Sequence, residues 1–221
     1  LKDAGAYVMG KTNIHELSFG WTSNNRAFGA VRNPYDDARI PGGSSGGTAA
    51  AIAARMAPLG IAEDTQGSIR VPAALCGICG FRPTTHRYPN DGVMPITPLF
   101  DQVGPHARSV DDLELFDAVM SGQEPAPGSM SLQGVRLGVP RAYYYGGLAD
   151  DVAQIMANVL ERLADAGVVL VEADVPDLEQ LIELTTAPVQ ILDVVPRFND
   201  YLETWEAGLT FRDVLAEASD D

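Results

Sequence analysis

The tightest constraint on this 221-residue chain is a pair of glycine loops that carry serine, Gly42-Gly43-Ser44-Ser45-Gly46-Gly47 and Asp64-Thr65-Gln66-Gly67-Ser68-Ile69-Arg70. Glycine inside a helix or strand costs about 0.5–1 kcal/mol relative to alanine, so segments this rich in it read as turns. Each turn follows chain that reads as extended and opens into a helix former. Thr48–Met56 (TAAAIAARM) comes after the first loop, and Val71–Leu75, ending at Gly77, comes after the second. Between them, Pro58–Ala62 reads as a strand. A turn of this kind leaves backbone N–H groups unpaired at the favourable end of a helix dipole. Such donors can hold a developing oxyanion, and a serine beside them can act as nucleophile. A phosphate or carboxylate would fit nearly as well. The residues alone therefore specify an anion-stabilising α/β site with serine chemistry open.

The rest of the chain reads as scaffold. Ala6–Met9 is a short apolar run expected to form a buried strand. Residues 21–47 are rich in Asn, Gly, Ser and Pro and read as loop. Gly122–Met130 (GQEPAPGSM) reads as a connection. Beyond it, Val135–Val139 reads as a strand, and Asp150–Ala166 carries Val152, Ile155, Met156, Val159, Leu160 and Leu163 along one helical stripe. Gly167 is placed to end that helix before a strand at Val168–Val171. This βαβ pattern favours an α/β protein with parallel strands. Leu178–Val189 and Phe198–Ala218 read as helical, with Pro188 and Pro196 interrupting.

Composition narrows the function classes. Hydrophobic residues make up 46% and charged residues 20%, enough for a sizeable core. The net charge is −15, and it is uneven: residues 1–144 carry 12 basic and 13 acidic side chains, residues 145–221 carry 3 and 17. No basic stripe exists to neutralise phosphates, which argues against nucleic-acid binding. No apolar run reaches the roughly 20 residues of a membrane span, and no signal-peptide pattern is visible. A cytoplasmic location is the default expectation.

Four further motifs match patterns without the context that the chemistry needs. Residues 5–12 (GAYVMGKT) fit the phosphate-loop spacing, but their middle is the apolar run itself. Ser45 fits GxSxG, yet Pro41 spoils the strand that a nucleophile elbow requires. Cys76 and Cys79 form a lone CxxC, read as two buried core cysteines rather than half of a four-ligand zinc site. His15, His86 and His106 lack metal-ligand spacing.

GGSSGG, the serine of DTQGSIR 24 residues beyond Ser44, and VPAALCGICGFRPT together resemble the amidase signature family. GKTNIHEL upstream and DQVGPHARSVDDL downstream strengthen the resemblance, which extends through GVRLGVPRAYYYGGL and is most specific between Gly10 and Asp112. HELSFGWTSNN with FGAVRNPYD looks most like mandelamide and indoleacetamide hydrolases. The resemblance implies an α/β amidase-signature fold, a mixed, largely parallel central sheet flanked by helices. It implies one amidase domain over residues 1–221, with 1–122 the core bearing the serine loops and 131–221 a peripheral βαβ and helical part. It further implies a Ser–cis-Ser–Lys triad that hydrolyses the C–N bond of a small, aryl-acetic type of carboxamide. Ser68 falls on the nucleophile and Ser44, preceded by a cis bond after Gly43, on the bridging serine. The backbone amides of Thr65, Gln66, Gly67 and Ser68 fall on the oxyanion hole. Ser45 falls on a supporting hydrogen-bonding serine, and Asp64 and Arg70 bracket the loop.

Two other readings stay in view, a glutamine-dependent amidotransferase component that delivers ammonia to a partner enzyme, and a non-catalytic scaffold of the same fold. No metal or organic cofactor is implied. The expected partner is a small amide, and a homodimer stays open. Trp21, Thr97 and Phe100 are candidate pocket residues. Three features depart from the family pattern. Gln66 stands where Gly is usual, which fits provided its φ stays negative, and Glu63 stands where Thr is common. Lys2 and Lys11 are the chain's two lysines, and Lys11 lies in an element downstream of the family's catalytic lysine. That lysine is therefore expected ahead of Leu1. The chain would then be an internal fragment, also short of a C-terminal portion and nearly inactive alone.

Overall fold

The computed structural model describes residues 1–123 and 130–218. Most of the Gly122–Met130 connection thus lies outside the described residues. The chain divides into two compact units, Leu1–Pro125 with Gln190–Asp221, and Ala126–Val189.

In the first unit the first glycine loop runs into α1 (Gly46–Ala53), followed by β1 (Leu59–Asp64), α2 (Arg70–Leu75), β2 (Cys79–Gly80), β3 (Gln102–Ala107) and α3 (Val110–Ser121). The strands form one sheet in the order β1-β3-β2. Both pairings are antiparallel, from Leu59↔Ala107 to Asp64↔Gln102 on one side and Gly80↔His106 on the other. The sheet around the serine loops therefore differs from the largely parallel one expected, because the long excursion from Thr65 to Asp101 brings the chain back along β1 in the reverse direction.

β3 has no strand signature in the sequence. Its residues QVGPHA include a glycine and a proline, yet all six are buried. Pro105 is tolerated because its carbonyl still accepts from Phe81 N at 3.1 Å while its missing N–H leaves no donor unpaired. Gly104 is required by close approach: a Cβ there would collide with the Phe81 carbonyl and lie 2.8 Å from Ile69 Cδ1. Helix α1 packs on the sheet over Gly60, where a Cβ would meet Thr48 and Ile52. Ala49, Ile52, Ile69, Ala73, Val103 and Phe116 belong to the core so formed.

The second unit holds the expected βαβ unit. β4 (Arg136–Val139) and β5 (Val169–Glu172) pair in parallel around α5 (Asp150–Asp165), with the short α4 (Arg141–Tyr144) between. Gly167 has φ 93°, the left-handed conformation anticipated at the helix end. The apolar stripe of α5 is only partly covered: Leu160 is buried, whereas Val152, Ile155 and Val159 are exposed.

Two expectations fail. Ala6–Met9 is neither a strand nor buried; Tyr7, Val8 and Met9 are exposed, and no described strand pairs with them. Pro188 and Pro196 do not break the chain's longest helix, α6 (Leu178–Thr204), which precedes α7 (Phe211–Glu217). Both prolines are exposed, as are Leu184 and Leu192 four residues before them, so water can satisfy the carbonyls that lose a partner. The buried stripe Gln190, Val194, Phe198 and Leu202 runs at i, i+4 spacing and avoids both prolines. Among the described residues, no helix is long and apolar enough to cross a membrane.

The glycine contacts give a paired prediction for urea denaturation. Gly104→Ala is expected to destabilise by about 1–3 kcal/mol through overpacking. Gly138→Ala in β4, with nothing within 4 Å of its Cβ position, is expected to stay within about 0.5 kcal/mol of the parent.

Candidate active site

The two serine loops meet at the C-terminal end of β1. Ser45 Oγ donates to the Glu63 carbonyl at 3.3 Å and accepts from Glu63 N at 3.4 Å, which uses its one hydrogen and one lone pair on the last turn of the strand. One residue on, the buried Asp64 carboxylate reaches forward to the second loop. Its Oδ2 accepts from Ile69 N at 3.1 Å, Arg70 N at 3.4 Å and Arg70 Nε at 3.1 Å. Its Oδ1 accepts from Arg70 at 3.0 Å and faces Arg82 Nε at 3.4 Å. Asp64 thus holds the chain on both sides of Ser68, with Arg70 ion-paired to it just past the loop. A Cβ on Gly42 would lie 2.8 Å from Pro72 Cα, so the backbone of the first loop rests against α2.

The peptide bond between Gly43 and Ser44 is cis, as the resemblance implies. Ser44 and Ser68 are both buried, at 1% and 6% exposure. Gly67 has φ 150°, and Gln66 is not among the non-glycine residues with positive φ, so the departure at Gln66 carries no backbone strain. Ile69 and Arg70 give their amides to Asp64, and Val71 N donates to Gly67 O at 2.7 Å. The amides of Thr65, Gln66, Gly67 and Ser68 reach no acceptor among the described residues. Thr65, Gly67 and Ser68 are buried and Gln66 is exposed; buried N–H groups are normally paired, so this run beside a buried hydroxyl is a set of donors that could take an oxyanion.

Sequence reasoning misses Ser23. Its side chain is fully buried, and its Oγ lies 2.7 Å from Gly42 O, 3.2 Å from Ser44 O and 2.9 Å from Gly46 N. His15 N adds a bond to Ser44 O at 2.9 Å. The segment 13–23 therefore lies over the first loop, and Gly43 is pressed against it: a Cβ there would sit 2.8 Å from Gly20 O. Nothing in the Ser-Asn-Asn run marks Ser23, because its role comes from a left-handed turn at φ 55° that aims the hydroxyl at three backbone groups.

A second missed feature lies behind the turn. Thr65 Oγ1 is 2.7 Å from Asp101 Oδ1 and 3.0 Å from Glu63 Oε1. Asp101 Oδ2 accepts from Ile96 N and Thr97 N at 2.8 and 2.9 Å. Burial, then the neighbouring Asp101, pushes the Glu63 carboxyl up to about 8; burial raises Asp101 as well.

The remaining candidates fare differently. Thr97 is fully buried with its hydroxyl donating to Asp193 at 2.6 Å, which removes it from any pocket wall; Trp21 is exposed and Phe100 half-buried. Lys2 and Lys11 are exposed, and neither is bonded to Ser44 or Ser68. His106 Nε2 donates to Ile69 O at 2.8 Å, and burial lowers its basicity, so it is a neutral structural ring. Cys76 is buried with its thiol raised to about 11, whereas Cys79 is only half-buried, against the expectation of two core cysteines. Residues 5–12 lead into no helix, and no strand precedes Ser45, so neither the phosphate loop nor the hydrolase elbow is formed. A hollow of about 1010 Å³ is lined by α6 and α7 residues such as Leu202 and Phe211 and by neither serine loop. Among the described residues no group of His, Cys, Asp and Glu is arranged to hold a metal ion.

The sequence profile of the Amidase family matches residues 1–219. The chain belongs to the amidase family. It is 45% identical over 217 residues to an indoleacetamide hydrolase of Agrobacterium vitis, covering 98% of this chain and 46% of that protein. It is 37% identical to a mandelamide hydrolase of Pseudomonas putida, covering 99% and 44%. The A-type component of a glutamyl-tRNA(Gln) amidotransferase, from a Janthinobacterium species, is 39% identical, with 90% and 44% covered. Among solved structures, the peptide amidase of Stenotrophomonas maltophilia superposes with a TM-score of 0.83 at 30% identity, covering 98% of this chain and 49% of that one. The chain thus spans about half the length of the relatives it matches.

Removing the Ser23 hydroxyl leaves the Gly46 amide without its acceptor in a site closed to water. Ser23→Ala is therefore expected to lower the unfolding free energy by about 1–3 kcal/mol, measured by chemical denaturation.

Proposed function

We propose that the two loops are the nucleophile region of a serine amidase that hydrolyses a small aryl-acetic carboxamide to carboxylate and ammonia. The observation that carries the reading is the run of four unpaired amides, Thr65 to Ser68, beside the buried Ser68 hydroxyl and the cis-linked Ser44. Ser68 Oγ attacks the amide carbonyl, and its proton passes through Ser44 to a neutral lysine. The carbonyl oxygen, now an anion, takes the unpaired amides. Collapse of the tetrahedral intermediate breaks the C–N bond, and the proton returns through Ser44 to the leaving nitrogen as ammonia departs. Water then attacks the acyl-serine, gives up a proton along the same path and releases the carboxylate. Lys2 and Lys11 are exposed, so the lysine is proposed to come from the part of the relatives' length that this chain does not span. The aryl-acetic substrate class rests on the likeness to proteins named for indoleacetamide and mandelamide.

A second reading, a component that passes ammonia from glutamine to a partner enzyme, is favoured by the likeness to the amidotransferase protein. It predicts glutaminase activity and co-purification with partner proteins.

Ammonia release from indoleacetamide, mandelamide, phenylacetamide and glutamine, measured on the full-length protein, separates the two. The amidase reading expects turnover of an aryl amide. Ser68→Ala is expected to lower kcat/KM by roughly 10³-fold or more. A folded protein that releases ammonia from glutamine alone would move the assignment to the amidotransferase class, and undiminished turnover by Ser68→Ala would remove Ser68 from the mechanism.

A further inference from the structure

The hydrogen-bond geometry around Thr65 does not close with the usual protonation states. Its Oγ1 carries one hydrogen and lies within bonding distance of two carboxyl groups, Asp101 at 2.7 Å and Glu63 at 3.0 Å. A hydroxyl can donate to only one of them. The other contact is favourable only if that carboxyl is itself a donor. Asp101 already accepts two backbone amides on its far oxygen, against one, from Gln102, at Glu63, which favours the charged form at Asp101. The proton therefore belongs on Glu63.

We propose that Glu63 is a neutral carboxylic acid that locks the oxyanion turn, donating to Thr65 Oγ1 while Thr65 donates to Asp101. The proposal rests on the amidase reading for its catalytic consequence, though not for the proton itself. Thr65 is the first residue of the turn whose amides precede Ser68, so the chain Glu63–Thr65–Asp101 makes Glu63 a positioning residue. If Glu63 ionises, Thr65 Oγ1 lies between two carboxylates with one hydrogen to share, and the turn loses a bond on one side. The charged groups around Glu63 agree with this assignment. Asp101 faces it across Thr65, and Asp64, next along β1, is countered by Arg70 and Arg82. Asp193 stands behind Asp101 through Thr97. The Gln102 backbone amide donates to Glu63 and opposes the rise in its pKa, but burial and Asp101 outweigh it. That pKa, raised to about 8, puts the change of state at mildly alkaline pH.

Below the ordinary value of 4.5 both folded and unfolded chains hold this proton. Between there and about 8 only the folded chain does, so Glu63 makes folding less favourable as pH rises, and the effect levels off above 8. The full-length protein and its Glu63→Gln variant, whose amide donates to Thr65 at every pH, provide the test. Between pH 5 and 8 the unfolding equilibrium constant of the parent is expected to rise by up to about tenfold per pH unit relative to the variant. Infrared titration of the parent is expected to show a protonated-carboxyl band that disappears near pH 8, and this readout needs no variant to fold. In ammonia release, kcat of the parent is expected to fall above pH 8 while Glu63→Gln holds its rate to higher pH, with KM alike in both. Equal unfolding slopes, or no carboxyl band above pH 6, overturn the protonation. A shared alkaline limb in both proteins overturns the positioning role. If neither protein hydrolyses any amide, the amidase reading fails, and the unfolding and infrared results still decide where the proton lies.

Discussion

The Asp64 carboxylate is the contact on which the serine loops depend. A buried carboxylate without partners costs several kcal/mol, and here two amides and two guanidinium groups surround it. Because its bonds go to Ile69 and Arg70, only five and six residues ahead, the chain between must curl back on itself. The curl contains Ser68, and its inner amides reach no acceptor among the described residues. The same strand end holds the other loop through Ser45 and the Glu63 backbone. Two distant segments are thus brought together by the last two residues of one strand. That strand in turn is fixed along its whole length to β3, every residue of which is buried.

Much of this is legible in the residues, and the parts that are not share a physical cause. The helices after each glycine loop, the strand between them, the βαβ unit and the turn at Gly167 follow from local propensity and period. The serine loops stand out because glycine density and a serine beside a helix start are local signals. β3 escapes notice because its residues are chosen for fit against Phe81 and Ile69 rather than for strand preference. The prolines of α6 mislead because the burial stripe that outweighs them is a tertiary fact. Ala6–Met9 misleads because apolar character does not by itself supply a covering partner. In the site, the proposed nucleophile Ser68 and the Asp64–Arg70 pair around it are legible, whereas Ser23, Asp101 and the proposed proton on Glu63 depend on contacts across 21, 36 and two residues of sequence.

An anion-stabilising turn built among carboxylates raises a charge problem that the structure resolves locally. Glu63, Asp64 and Asp101 all lie at the base of the turn that is proposed to hold an oxyanion. Three uncompensated negative charges there would oppose the charge that develops in the transition state, since Coulomb interactions are strong where water is excluded. Each carboxyl is handled differently. Asp64 faces two arginines. Asp101 spends its charge on the Ile96 and Thr97 amides and on Thr65. Glu63 takes a single backbone amide, from Gln102, against burial and the neighbouring Asp101, and is proposed to stay neutral. A threonine at position 63, common in the family that the sequence resembles, would supply the same donor without a titrating group. Glutamate does so only while it keeps its proton. The choice of residue at this one position therefore exchanges a pH-independent turn for one whose hydrogen bond is conditional on pH.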